Sequence, residues 1–167
     1  WVARQARAFR ALGVARGDRV AILADNRPEW VVGDMALQSI GAIVVGVYST
    51  SPSAEVAYVL AHSESVVCVV EDEEQLDKIE QVRDQLPALH HVVVMEARGV
   101  HALGTDPRLL SIADFEQLGA GATVDELHEQ VAQVDPHAIA ILVYTSGTTG
   151  PPKGAMLRHS NLEAAGD

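Results

Sequence analysis

Val66-Val67-Cys68-Val69-Val70 is a run of five apolar residues with no polar alternation. A strand with one wet face alternates, so an unbroken run of this length asks for a strand buried on both faces. The chain repeats the pattern at Val20 to Ala24, Ile43 to Tyr48, Val92 to Met95 and Ala138 to Val143. Helical stretches lie between most of these runs. Strands that alternate with helices and exclude water from both faces pair in parallel, with right-handed crossovers. The expected fold class is α/β, a doubly wound, mostly parallel sheet with flanking helices.

The connecting segments carry the helix signals. Val2, Ala6, Phe9 and Leu12 mark one face of a helix over 1–12, broken by Gly13 and Gly17. Pro28 suits the first turn of a second helix, which Trp30, Val31, Met35 and Leu37 to Ile40 carry to Gly41. A third opens at Ser53-Ala54-Glu55 and ends near His62-Ser63. Leu76, Ile79, Val82 and Leu86 define a fourth, preceded by Glu71-Asp72-Glu73-Glu74. Four acids there fit a helix N-terminus, where the dipole favours negative charge, better than a metal site. Residues 97–110 read as an irregular connection. Ser111 to Leu118 and Thr123 to Val134 read as helices separated by Gly119-Ala120-Gly121. A short strand over Ala155 to Leu157 comes next. Ser160-Asn161-Leu162-Glu163 then has capping-box spacing, so a helix is expected to begin there.

Charge narrows the function. The 167 residues hold 12 basic and 23 acidic side chains, a net charge of -11, and 48% are hydrophobic. Nucleic-acid binding wants a basic face, so a chain this acidic argues against it. Cys68 is alone and sits inside the most apolar run, which makes it a small core residue in a reducing, cytoplasmic setting. No apolar run is long enough to span a bilayer; membrane association at the periphery stays open, as does the oligomeric state. Seven histidines form no trusted metal-ligand spacing, so no metal residue is assigned. His90-His91 falls at a strand entrance, and Trp30 and Tyr48 read as core or edge residues.

The chemistry concentrates after the last apolar run, in Tyr144-Thr145-Ser146-Gly147-Thr148-Thr149-Gly150-Pro151-Pro152-Lys153-Gly154. Glycines allow the backbone to turn tightly and approach a ligand, converging N–H groups favour an anion, and Lys153 brings a mobile positive charge. Arg158 follows close by. The nucleotide-triphosphatase motif G-x-x-x-x-G-K-[ST] is the obvious comparison. Gly147 and Lys153 keep its spacing, but Pro152 replaces the second glycine and cannot donate, and Gly154 stands where the magnesium-binding hydroxyl belongs. This is a different phosphate loop.

The stretch YTSGTTGPPKG resembles the phosphate-binding signature of the adenylate-forming enzymes: acyl-CoA synthetases, peptide-synthetase adenylation domains and luciferase. The resemblance extends upstream through Arg16-Gly17-Asp18-Arg19-Val20-Ala21-Ile22-Leu23, Asn26-Arg27-Pro28-Glu29-Trp30 and Gly41 to Tyr48. Tyr48-Ser49-Thr50-Ser51-Pro52 is most similar to the long-chain fatty acid branch. The resemblance implies ATP, Mg2+ and coenzyme A, with a fatty acid as the other small-molecule substrate. It implies that Thr145, Ser146, Gly147, Thr148, Thr149, Gly150, Lys153 and Gly154 bind the nucleotide, with Lys153 the catalytic counter-charge. His159 matches a family habit of a histidine near this helix start, where capping or packing is at least as good a role as substrate contact.

Members of that family are much longer. Trp1 stands first without a methionine, and Asp167 falls inside an expected helix. The expectation is therefore a partial N-terminal AMP-binding domain over 1–167, truncated after the phosphate-binding loop, with the C-terminal domain absent and no activity on its own. A fatty-acyl-AMP ligase or another carboxylate-activating branch is the alternative within the family. A non-catalytic nucleotide-binding module is the alternative outside it. An ordinary nucleotide triphosphatase is opposed by the missing hydroxyl after Lys153.

Overall fold

The computed structural model describes residues 1–145 and 151–166. Seven strands form one sheet in the order β5-β4-β3-β1-β2-β6-β7. The five central and left-hand strands are β1 Arg19–Leu23, β2 Ile43–Val47, β3 Val67–Val70, β4 His91–Val94 and β5 Leu109–Ser111. All pair in parallel, and β6 (Ile139–Thr145) joins β2 in the same sense. Only β7 (Lys153–Arg158) runs antiparallel, on the far side of β6. Among the described residues it is the outermost strand of that flank.

The apolar runs behave as their pattern demands. Ala21, Leu23, Val45, Val47, Cys68, Val70, Val92 and Val94 enter one hydrophobic cluster. The residues between them, Val20, Ile22, Val44, Val67, Val69 and Val93, enter a second on the opposite face. Helices α3 (Ser53–Ser63) and α4 (Glu73–Glu80) cover the first face. Helices α1 (Val2–Ala11), α2 (Pro28–Ser39) and α5 (Ile112–Leu118) cover the second. Connections that move to opposite sides of β1 with one handedness must place their helices on opposite faces, which is the doubly wound arrangement.

Local chemistry sets the ends. Pro28 occupies the first turn of α2, and Gly41 takes φ +73° just past its end, a left-handed position that suits glycine. Asp72 accepts from the Gln75 N–H at 3.1 Å and caps α4. A full capping box, Thr123 with Glu126, opens α6 (Val124–Val131). The last helix, α7, runs His159–Gly166.

Several expectations need correction. Residues 97–110 are not wholly irregular, because Leu109 and Leu110 start β5 beside β4. The helix through Leu86 stops at Glu80 and gives way to a 3₁₀ turn over Arg83–Gln85, although Leu86 stays buried. Lys153 and Gly154 belong to β7, which is twice the expected length. Ser160 lies within α7, not at its cap; it is the Asn161 side chain that accepts from the Arg158 N–H, at 3.0 Å. Of the core and edge readings of Tyr48, its 69% exposure rules out the core.

Candidate functional site

In open α/β sheets the crevices outside the carboxyl ends of the strands bind ligands, above all where the strand order reverses. Here that reversal lies between β1 and β3, and polar side chains of the chain itself fill it. Arg27, extended at the mouth of α2, reaches Glu29 at 2.9 Å, Glu71 at 3.1 Å and Glu96 at 2.8 Å. Glu71 also accepts from the Asp25 N–H at 2.7 Å, and Asp25 in turn accepts from the Ser49 hydroxyl. Lys78 donates to the Ser49 carbonyl. The hydrogen bond to Glu29 does most to raise the Arg27 guanidinium above its ordinary value, and the same bond holds the Glu29 carboxyl below the usual range. Glu71, read from sequence as part of a helix N-terminus, is therefore a partner of Arg27; only Asp72 to Glu74 serve α4.

The free crevice is one strand further along. A cleft of about 260 Å³ opens at the ends of β1, β2 and β6, lined by Asn26, Trp30, Gly46, Tyr48 and β6 residues Ile141 to Tyr144. This is smaller than the roughly 300–1,000 Å³ of a complete small-molecule pocket.

At the rim of that cleft β6 and β7 come together. Their register pairs Thr145 with Lys153 and Tyr144 with Gly154. Thr145 and Lys153 are both exposed, so a hydroxyl and an ammonium stand side by side at the end of the sheet. The expected contacts Ser146, Gly147, Thr148, Thr149 and Gly150 lie outside the described residues. Gly154 is where it is for a visible reason: a Cβ there would stand 3.2 Å from the Tyr144 ring. The Tyr144 hydroxyl pairs with His62 Nδ1 at 2.8 Å, and burial raises its pKa. Sequence reading named Arg27 and Tyr144 only as members of longer stretches, without a role for either, and gave His62 none beyond a helix end. The hairpin pairing of Tyr144 with Gly154 was the available clue, since an aromatic opposite a strand glycine is a recurring device.

The remaining singled-out residues are structural. Cys68 is fully buried and its thiol is pushed up to about 12 by desolvation, which makes it inert. His91 begins β4 opposite Val67, as a strand-entrance residue should. His159 lies against α2 and the 131–134 segment, where burial lowers its pKa and its Nε2 finds no partner among the described residues. No metal-holding group of three His, Cys, Asp or Glu side chains occurs among the described residues. No described helix is long and apolar enough to cross a membrane.

The family model described as AMP-binding enzyme matches residues 1–166. The chain belongs to the AMP-binding enzyme family. Long-chain-fatty-acid–CoA ligase ACSBG2 of Xenopus laevis is 36% identical over 162 residues, covering 94% of this chain and 21% of the relative. FadD15 of Mycobacterium bovis, also a long-chain-fatty-acid–CoA ligase, is 39% identical over 154 residues, covering 91% and 24% respectively. The chain thus spans under a quarter of the length of those relatives. The anthranilate CoA ligase AuaEII, solved with anthranoyl-AMP, superposes with a TM-score of 0.76 at 31% identity, over 95% of this chain and 29% of that one. The long-chain-fatty-acid–CoA ligase FadD1 of Archaeoglobus fulgidus shares the fold at TM-score 0.75 and 23% identity.

Proposed function

We infer that these residues are the N-terminal, phosphate-gripping part of a longer AMP-forming ligase. That ligase converts a long-chain fatty acid to its acyl-adenylate and passes the acyl group to coenzyme A. The observation that carries the reading is the Thr145–Lys153 pair at the end of the sheet, which brackets the signature stretch beside an open cleft. The ligase names of the relatives support the substrate class.

The difficulty such a reaction must solve is charge. A carboxylate oxygen has to attack the α-phosphorus of a polyanion while the bond to the β-phosphate oxygen breaks and pyrophosphate leaves. Lys153 is an exposed cation on a strand, so its backbone is held in place before the nucleotide arrives. Placed against the β- and γ-phosphates it offsets the charge that develops on the leaving group, and preorganised groups of this kind give the largest single term in many enzymes. Thr145, Ser146, Gly147, Thr148, Thr149 and Gly150 are proposed to add hydroxyl and backbone donors, and Gly154 leaves the strand narrow beside Lys153. The described side chains offer Mg2+ no cage; when bound, it would be carried on phosphate oxygens and neutralise part of their charge. The acid, adenine and coenzyme A contacts are assigned to residues beyond Asp167, which is why the 167-residue piece alone is proposed to be inactive.

The experiment is pyrophosphate release from ATP with palmitate. The complete protein should turn over, and Lys153→Ala should slow adenylate formation by about 10²–10³, the usual cost of removing one preorganised group. Unchanged adenylation in that variant would remove Lys153 from the mechanism. Clear turnover by the isolated 167 residues would refute their inactivity. Fatty-acyl-AMP accumulation without transfer to coenzyme A would favour an acyl-AMP ligase.

A further inference from the structure

Three rings join helix α3 to the end of the β6–β7 hairpin. Tyr58 stacks on His62, one turn on, with ring centroids 5.4 Å apart and planes 25° from parallel. His62 meets Tyr144 edge-on at 5.8 Å and 89°, and its Nδ1 lies 2.8 Å from the Tyr144 hydroxyl. Tyr144 in turn covers Gly154, its partner across the hairpin.

This arrangement does more than fill space. Tyr144 precedes Thr145 and Gly154 follows Lys153, so the ring-covered pair sits directly behind both ends of the signature stretch. A strand glycine has no side chain to resist twisting or slipping, and the ring supplies what it lacks. The ring can do this only if it is itself fixed. Packing fixes its plane, and the hydroxyl bond to His62 fixes its position along the strand, since a buried phenolic O–H takes a partner where one is offered. A phenylalanine would cover Gly154 equally well and lose that anchor.

We propose that Tyr144 and His62 are a positioning pair for nucleotide binding: through the ring over Gly154, helix α3 sets where the backbone of Lys153 stands. The inference rests on the ligase reading, because it assigns the pair an effect on ATP. It makes neither residue catalytic: Tyr144 is one of the residues along the cleft, but its ring belongs to the α3-side cluster and its hydroxyl is taken by His62.

The test uses the full-length protein with Tyr144→Phe, His62→Phe and the double variant, the second chosen to keep a ring against Tyr58. KM for ATP and KM for the fatty acid are measured separately, and hydrogen exchange is followed over residues 153–158. Each single variant should raise KM for ATP by about 2- to 10-fold, the factor that matches one net hydrogen bond. KM for the acid should not move, and the double variant should be no worse than either single. Strand exchange over 153–158 should quicken in all three. An unchanged KM for ATP in Tyr144→Phe overturns the proposal, and so do additive effects in the double variant. A merely structural loss would impair both substrates together. A parent protein with no acid-dependent pyrophosphate release defeats the ligase reading. Exchange over 153–158 then still decides the pair, unchanged rates in Tyr144→Phe overturning it.

Discussion

Removing Arg27 should loosen the mouth of the sheet by an amount that its surroundings fix. The Arg27–Glu71 pair is the most sheltered, with side chains 20% and 22% exposed, while Glu29 and Glu96 are 41% and 59% exposed. Exposed pairs contribute up to about 1 kcal/mol each, often much less, and a partly sheltered charge-assisted bond about 1.5 kcal/mol. Arg27→Ala should therefore cost about 2 kcal/mol, or a fall in Tm of roughly 4–8 °C in a domain of this size. Arg27→Lys should recover less than half, because an ammonium cannot serve three carboxylates in a fork. The pH dependence has a definite sign. Arg27 depresses the Glu29 pKa, so this part of the stability is present above the unfolded carboxylate value and is lost as pH falls through the folded one. Urea denaturation at pH 7 and in acid measures it: the difference between the two proteins should be smaller in acid, by the part that Glu29 contributes. A pH 7 difference below about 0.5 kcal/mol, or one that does not shrink at all in acid, would refute the network as a staple.

Other expectations follow from contacts already described. A Cβ on Gly119 would fall inside the carbonyl oxygen of Arg4, backbone against backbone, and would prise α5 from α1 where Phe9 meets Phe115 at 4.7 Å. Gly119→Ala should destabilise by about 2–3 kcal/mol. Gly33→Ala is its opposite: inside α2 the new methyl meets Ile22 at an ordinary 3.5 Å, so denaturation should show a gain of about 0.5–1 kcal/mol. Cys68 should resist a thiol reagent in the folded protein and react fully in denaturant; rapid labelling of the native form would contradict its burial. His91 and His159 both have folded pKa values lowered by burial, so stability should be complete above the unfolded histidine value, about 6.5, and decline as pH falls below it. Replacing both by Gln should flatten the Tm profile between pH 7.5 and 5.5.

The sequence was most readable where one interaction dominates. Val67 to Val70 has no choice but a strand covered on both faces, and the same holds for Val20 to Leu23 and Val92 to Val94. Elements whose burial is partial were harder. β7 is Lys-Gly-Ala-Met-Leu-Arg, four of its six residues exposed and none buried, and little in that composition separates a strand from a turn. β5 is three residues long and exists because β4 offers it an edge. The candidate site divides the same way. Its signature is contiguous, so motif reading reaches it, whereas Arg27 meets partners 44 and 69 residues away and Tyr144 meets His62 across 82. Proximity made by a crossover leaves no periodicity behind.

The outermost strand has a further consequence for solubility. In the 167-residue piece, where no described strand lies beyond β7, that edge would invite a second copy to pair with it, and antiparallel self-pairing of β7 about its middle would set Lys153 of one copy facing Arg158 of the other, at both ends of the duplex. The two cations that flank Gly154 to Leu157 would then act as a mutual repellent, and neutralising either one should make that piece more prone to form aggregates. The lysine proposed to attract a nucleotide would, on the same strand, keep its own kind at a distance.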